Sequence, residues 1–151
     1  SQSLDSAFSN SRATGNFSIK KQVESPVETE HTAEYDVKIT LKTKNGNPVT
    51  LSNRSLTWNP SETATGRPER QTALNFDADG NATVKICEGE TVTINDIPTD
   101  VFYTIEEPNA DLFDKTFVVS SADANVTTDD SSARAEVISN TSCTTTITNK
   151  R

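Results

Sequence analysis

The sequence predicts an all-β sandwich of about seven to ten short, mainly antiparallel strands. Apolar residues alternate with polar ones in many short runs, and β-branched Val and Thr are abundant throughout. No stretch shows the three-to-four-residue periodicity of an amphipathic helix. Because alternation at every second position is the side-chain period of a half-buried strand, these observations favour β structure throughout the chain.

The alternating runs follow one another from residue 16 onward. Asn45-Gly46-Asn47 follows the second run, and Val49 and Leu51 continue the alternation beyond it, so a hairpin turn is predicted there. Further turn clusters, rich in Gly, Asn, Asp and Glu, separate the later runs. The runs span residues 17–23, 35–41, 49–51, 56–58, 74–76, 84–86, 92–94, 101–105, 117–119 and 144–149.

The composition is acidic and poor in apolar residues. Of 151 residues, 32% are hydrophobic, and 22 acidic against 14 basic side chains give a formal net charge of -8. Leu, Ile, Val and Phe total only 31 residues, which is close to the composition of disordered chains, but the regular alternation favours folding. The acidity argues against a nucleic-acid partner and against direct contact with an anionic membrane.

The domain organisation follows from the same patterns. Residues 1–14 are rich in Ser, Asn and Ala without periodicity, which predicts a flexible linker or terminus, and residues 15–151 then form a single domain. No run approaches the roughly 18 apolar residues of a membrane span, and the first residues lack the pattern of a signal peptide. If the protein is exported, its signal and any anchor are expected outside this segment.

Three polar residues share the apolar faces of predicted strands. Lys21 has the parity of the apolar residues in the first run, Glu107 that of the run at 101–105, and Asn149 that of the last run. One interpretation is a buried Lys–Glu ion pair with the amide hydrogen-bonded to it, or strand ends that have already reached solvent.

The other interpretation of these three residues is covalent. Because apolar surroundings disfavour charge, a neutral Lys21 amine would be a nucleophile, and a protonated Glu107 would polarise the amide carbonyl of Asn149 and relay protons. The product would be a Lys21–Asn149 isopeptide bond, with loss of ammonia. Spacing alone leaves both interpretations open.

Four segments at the two ends and in the middle of the chain read IKKQV, GETVTINDIP, YTIEE and TITNK. In this order they resemble the isopeptide-forming domains of Gram-positive surface proteins, namely the collagen-adhesin B-type and pilin linkage modules. The resemblance implies an Ig-like, reverse-Ig-like sandwich. The matching residues are 19–23, 89–98, 103–107 and 146–150.

The resemblance also implies roles for the three inward residues. Lys21 and Asn149 would be the bond partners, and Glu107 the catalytic proton relay. The neighbours Lys20 and Glu106 fall on the solvent-facing parity, but a β-bulge would exchange the roles. Because the bond forms once in each molecule, the protein is not expected to be an enzyme, and no cofactor is implied.

By the same resemblance, the chain would be a structural or adhesive domain of a bacterial adhesin or pilin. It would be extracellular, attached to the cell wall through segments outside this chain, with the other domains of the same polypeptide as neighbours. One alternative is an adhesive tip domain, in which the polar stretch at residues 53–72 contacts a host extracellular-matrix protein or glycan. Another is a secreted sandwich that is stabilised by a disulfide and lacks the cross-link.

The remaining candidate sites are weaker. Cys87 and Cys143 are the only cysteines, and a disulfide between them and two buried thiols are equally open alternatives. Acidic residues between 77 and 88 follow part of a calcium-loop spacing, but Ala82 stands where the loop needs glycine, so a plain turn is favoured and no metal site is expected. Hydrolase activity is disfavoured, since His31 is the only histidine and no serine has a nucleophile-elbow glycine pattern.

Overall fold

The structure, a computed structural model, describes residues 13–120 and 124–151. The described residues form eleven strands and one short 3-10 helix, Glu28–His31. The strands are β1 (Thr14–Glu24), β2 (Glu34–Lys42), β3 (Leu51–Asn59), β4 (Ala73–Phe76), β5 (Asn81–Cys87), β6 (Thr91–Pro98), β7 (Phe102–Glu106), β8 (Asp114–Val119), β9 (Thr127–Thr128), β10 (Ser132–Glu136) and β11 (Ser142–Lys150).

The strands form two sheets that pack as a sandwich. One sheet has six strands in the order β4-β3-β6-β1-β11-β8, and the other has five in the order β5-β2-β7-β10-β9. Among the described strands, β1 and β11 pair in parallel and every other pairing is antiparallel. The prediction of a mainly antiparallel sandwich is therefore confirmed, and the first and last strands of the domain are direct neighbours.

The hydrophobic core fills the space between the two sheets. It is built from the inward residues of the alternating runs, as strand parity predicts. The rings of Phe17 and Tyr103 stack with centroids 3.9 Å apart and so join β1 of one sheet to β7 of the other. The core residues with no exposed surface include Phe17, Ile19, Val37, Ile39, Leu41, Val84, Ile86, Val92, Ile94, Ile97, Ile105 and Ile147.

The predicted hairpin at residues 45–47 extends over a single bridge only. The turn itself forms: the Thr43 N–H donates to the Asn47 carbonyl at 2.8 Å, and Gly46 has a φ of 88° that favours glycine. Beyond the Lys42–Pro48 bridge, however, the chain leaves β2 and enters β3 in the opposite sheet. Alternation identifies both strands correctly but does not show that they belong to different sheets.

The polar stretch at residues 53–72 is not one loop. Its first part, residues 53–59, belongs to β3, whose residues 56–59 pair with β6, and only residues 60–72 connect β3 to β4. The predicted run at residues 56–58 thus lies inside β3, and the polar stretch combines the end of a strand with a connection. Polar side chains fill the outward positions of β3 because that face of the strand is exposed.

The part of the chain that the structure describes begins at residue 13, inside the predicted linker. Residues 1–12 of that linker lie outside the described residues, and Thr14 is already the first residue of β1. Within the described parts of the chain, no helix has the length and apolar character needed to cross a lipid bilayer.

Candidate functional site

Lys21, Glu107 and Asn149 lie together at one end of the core. The exposed fractions of the three residues are 0%, 2% and 0%, respectively. Lys21 comes from β1 and Asn149 from β11, where the parallel register pairs Asn149 with Val23, so that Lys21 and Asn149 are diagonal neighbours on one sheet face. Glu107 follows the last residue of β7 and enters from the opposite sheet.

Main-chain contacts fix Lys21 from the side of β6. The Lys21 N–H donates to the Glu90 carbonyl at 3.2 Å, and its carbonyl accepts from the Gly89 N–H at 2.9 Å. Gly89 has a φ of 83°, a conformation that glycine adopts without strain, and so closes the turn between β5 and β6. The turn thereby extends the β1–β6 pairing as far as Lys21.

The Glu107 carboxyl group bridges the amine and the amide. Lys21 Nζ donates to Glu107 Oε1 at 2.5 Å, and Asn149 Nδ2 donates to Glu107 Oε2 at 2.6 Å. The remaining amide oxygen, Asn149 Oδ1, is buried without a hydrogen-bond partner among the described residues. Leaving a buried carbonyl oxygen without a hydrogen bond costs free energy. Asn149 Oδ1 can therefore accept a hydrogen bond from one further donor.

Burial makes the lysine amine easier to deprotonate. It lowers the pKa of Lys21 to about 8, since burial outweighs the opposing attraction of Glu107, and the nearby charge of Lys115 acts in the same direction as burial. The amine also lies 4.7 Å from the centroid of the Tyr35 ring. Burial raises the pKa of Tyr35 to about 12, so the tyrosine side chain that borders the site is uncharged at physiological pH.

The alternatives Lys20 and Glu106 do not enter the site. Both are partly exposed and lie on the outward faces of β1 and β7, as strand parity predicts. The irregularity in the β1–β6 pairing lies between Gly15 and Phe17, before the lysines, and therefore does not exchange them.

Cys87 and Cys143 are both free and buried, so the disulfide alternative is not formed. Cys143 on β11 pairs with Phe17, four residues before Lys21 along β1, which corresponds to about 13 Å of strand. Cys87 ends β5 in the other sheet, next to the turn that holds Lys21. The two thiols therefore lie in different sheets and at different levels of the sandwich. Burial raises the pKa of the Cys87 thiol, which disfavours the reactive thiolate.

Two residues that border the site are absent from the sequence-based prediction. Lys115 on β8 pairs directly with Asn149, and Tyr35 on β2 lies over the Lys21 amine. Lys115 has the same parity as Phe117, so extending the predicted run at 117–119 by one alternation would have placed this lysine on the inner face. The position of Tyr35 depends on sheet packing, for which the sequence carries no local signal.

The two-sheet sandwich is similar in fold to domains of solved pilins and adhesins. The pilus-presented adhesin Spy0125 (Cpa) matches with a TM-score of 0.65 at 18% identity, covering 92% of this chain and 28% of that one. The major pilin from Streptococcus pyogenes matches with a TM-score of 0.64 at 19% identity, covering 92% of this chain and 48% of the pilin. The predicted Ig-like fold of pilin and adhesin domains is thus confirmed.

A third match is an adhesin from Mobiluncus mulieris described as containing intramolecular disulfide, isopeptide and ester bond cross-links. Its TM-score is 0.52 at 15% identity, covering 91% of this chain and 41% of that one. The chain spans less than half of each of these three structures. All three are named as pilins or adhesins.

Residues 15–151 match the family described as Domain of unknown function (DUF7601), and the chain belongs to this family. No curated protein matches the chain.

Proposed function

We propose that this chain is a structural domain of a bacterial surface protein, stabilised by an autocatalytic isopeptide bond between Lys21 and Asn149. The observation that carries the proposal is the buried Glu107 carboxyl group, which contacts both the lysine amine and the asparagine amide. An ordinary buried ion pair requires neither the amide nor an unpaired amide oxygen beside it. The domain would act outside the cell, attached to the cell wall through other segments, with the other domains of its polypeptide as neighbours.

The reaction follows from the arrangement of these three side chains. A proton passes from Lys21 Nζ to Glu107 Oε1 along their 2.5 Å contact and leaves a neutral amine beside a carboxylic acid. After a half-turn of the amide, Asn149 Oδ1 faces Glu107 Oε2. The acid form with its proton on Oε2 donates a hydrogen bond to Oδ1, which makes Cγ more electrophilic. Lys21 Nζ then attacks Asn149 Cγ.

The breakdown of the tetrahedral intermediate completes the balance of atoms. The bond between Cγ and Nδ2 of Asn149 breaks, whereas the new bond between Lys21 Nζ and Asn149 Cγ remains. Glu107 gives the proton it holds to the departing nitrogen, which leaves as ammonia, and takes the second proton from Nζ. One primary amine and one primary amide thus become one secondary amide and one ammonia, and Glu107 returns to the carboxylate when ammonia carries the remaining proton away as ammonium.

A bond at this position would supply stability that the small core lacks. It would connect the first and last strands and close a loop of more than 100 residues. If it restricts the unfolded chain as a disulfide of that span does, it would contribute about 4 to 5 kcal/mol. That contribution is large beside the total stability of a small domain, and a covalent link between terminal strands suits a domain under tension.

The mass of the intact, denatured protein tests this proposal. We expect the wild-type chain to be one ammonia lighter than its sequence, because the cross-link survives denaturation. Lys21→Met and Asn149→Ala should each have the full mass expected for the variant sequence, and Glu107→Gln should retain the full mass because it lacks the acid.

Lys20→Met is the matched control, since it removes the neighbouring outward lysine and should still lose one ammonia. A folded wild-type chain with the full sequence mass would refute the proposal. Loss of ammonia from Glu107→Gln would show that another residue relays the proton.

A further inference from the structure

A second lysine borders Asn149 on the side opposite Lys21. In the β8–β11 pairing, Lys115 is the direct cross-strand partner of Asn149, and it shares its inward parity with Phe117. Lys21 approaches the same amide from β1, on the other side of β11. The asparagine therefore lies between two strands that each direct a lysine toward this end of the core.

The two lysines make different contacts. Lys21 is completely buried, and its amine contacts the carboxyl group of Glu107. Lys115 is partly exposed, and its amine donates to the main-chain carbonyl of Glu107 at 3.1 Å. Of these two amines, only that of Lys21 contacts a carboxyl group that can take its proton, so Lys21 is the better nucleophile.

The contact from Lys115 holds a part of the chain that lacks strand pairing. The register of β7 with β2 and β10 ends at Glu106, so Glu107 lies one residue beyond the paired region. The next residue, Pro108, has no N–H group with which to extend the pairing. Lys115 thus gives the main chain of Glu107 a hydrogen bond at a position where strand pairing no longer provides one. The carboxyl group of Glu107 must contact both the Lys21 amine and the Asn149 amide.

The groups that face the Lys21 amine also define an electrostatic role for Lys115. Glu107, after β7, favours the charged amine, whereas the Tyr35 ring on β2 is neutral at physiological pH. Lys115 on β8 is the positive group that opposes protonation of Lys21. A positive charge near a lysine favours its neutral form.

We propose, on the basis of the isopeptide function above, that Lys115 is a positioning residue for the reaction. It holds the main chain of Glu107 between the amine and the amide, and its charge favours the neutral, nucleophilic form of Lys21. Removing the Lys115 amine should therefore slow bond formation below the pKa of Lys21, where the Lys21–Glu107 pair holds the one proton that the reaction requires.

The test requires the full chain in an unreacted state. Chemical ligation of three synthetic segments, joined at Cys87 and Cys143 in guanidinium chloride, yields the complete unfolded polypeptide. Dilution into buffers between pH 6 and 10 starts folding, which the fluorescence of Trp58 reports, and mass spectrometry follows the loss of ammonia with time. For the wild-type chain, we expect a level rate below about pH 8, the pKa of Lys21, and a falling rate above it, because the reaction needs the proton that Lys21 passes to Glu107.

For Lys115→Met, we expect a lower level rate and a fall that begins at higher pH, because Lys21 then holds its proton more strongly. A change of about half a pKa unit in the amine would lower the level rate, and so the rate at pH 7, about threefold. Lys115→Arg retains the charge and donors and should restore both the rate and the profile.

Each other result contradicts a specific part of the proposal. Wild-type rate and pH profile in Lys115→Met would overturn the role of Lys115 while leaving the isopeptide function intact. Equal slowing at every pH without rescue by Lys115→Arg would also overturn it, because that result indicates a merely structural residue. A fragment spectrum that joins Asn149 to Lys115 would make Lys115 the nucleophile, and a folded wild-type chain that loses no ammonia would overturn the isopeptide function and this inference together.

Discussion

Both ring nitrogens of His31 face hydrogen-bond acceptors. Nδ1 lies 2.7 Å from Glu88 Oε2, and Nε2 lies 2.8 Å from the Ser25 carbonyl oxygen. Only the doubly protonated imidazolium satisfies a carboxylate and a carbonyl at once. The contact with the Ser25 carbonyl and then that with Glu88 raise the pKa of His31 above its usual value of 6.5.

This contact predicts a pH dependence of stability. Because the folded protein binds the His31 proton more tightly than the unfolded chain does, the stabilisation is complete below about pH 6.5 and is lost as pH rises through the folded pKa. We expect His31→Ala to remove this decline. Urea unfolding of the wild-type protein and the variant between pH 5 and 9 measures the stabilisation by His31. The difference between the two unfolding midpoints should shrink with rising pH. A constant difference across that range would contradict the prediction.

The inward orientation of the three site residues could be predicted from the sequence, because it depends only on the alternation of side chains along a strand. Lys21 and Asn149 lie inside regular strands, and the parity of β7 continues one residue further to Glu107. Strand parity could not show that these residues from three strands meet, because contact between strands depends on register and packing; only the family resemblance implied that they do. Spacing also carried no information on the distance between Cys87 and Cys143.

The connection between β3 and β4, residues 60–72, is held by a network of buried charges. The Arg67 guanidinium donates to the Glu90 carboxylate at 3.0 Å and to Glu34 at 2.7 Å, and Arg70 contacts Glu90 at 3.4 Å while lying 5.0 Å from the centroid of the Trp58 ring. The side chains of Arg67, Arg70 and Glu90 are only 5%, 6% and 9% exposed. The connection is therefore fixed to the turn between β5 and β6.

Removing the carboxylate of this network should destabilise the domain. Glu90→Ala leaves two largely buried guanidinium groups without their shared partner, and the expected loss is about 3 to 5 kcal/mol of unfolding free energy. Glu62→Ala, an exposed change in the same connection, should alter stability by less than about 0.5 kcal/mol. Chemical denaturation of both variants makes the comparison. Equal stability of the two would mean that the network contributes little.

Among the strands, the sequence predicted best those with large apolar side chains. β10 was not predicted, because its buried positions are Ala133 and Ala135, whose small side chains give no clear alternation of hydropathy. β9 is two exposed residues long and carries no periodic signal. The change of sheet between β2 and β3 was also missed, since the alternation of polar and apolar residues is identical whether consecutive strands pair or separate.

On the scale of the whole molecule, the parallel pairing of β1 and β11 determines how the domain bears tension. The register runs from Asn16 opposite Ser142 to Glu24 opposite Lys150, so the strands start and end at the same levels. A force that pulls on the two chain termini therefore shears the pair along its length and loads all its hydrogen bonds together. The Lys21 and Asn149 side chains lie near the end of this pair from which the chain leaves at its C terminus.

A covalent bond between Lys21 and Asn149 would divert that force from the rest of the domain. Asn149 follows Lys21 by 128 residues, and at about 3.6 Å per residue this segment represents roughly 460 Å of extended chain. In single-molecule stretching from the two termini, we expect the wild-type domain to yield no step of this size, because only the short ends outside the bond can extend. Lys21→Met should unfold in one long step that approaches this length, whereas Lys20→Met should behave as the wild-type domain. A long step in the wild-type domain would show that its terminal strands are held by hydrogen bonds alone.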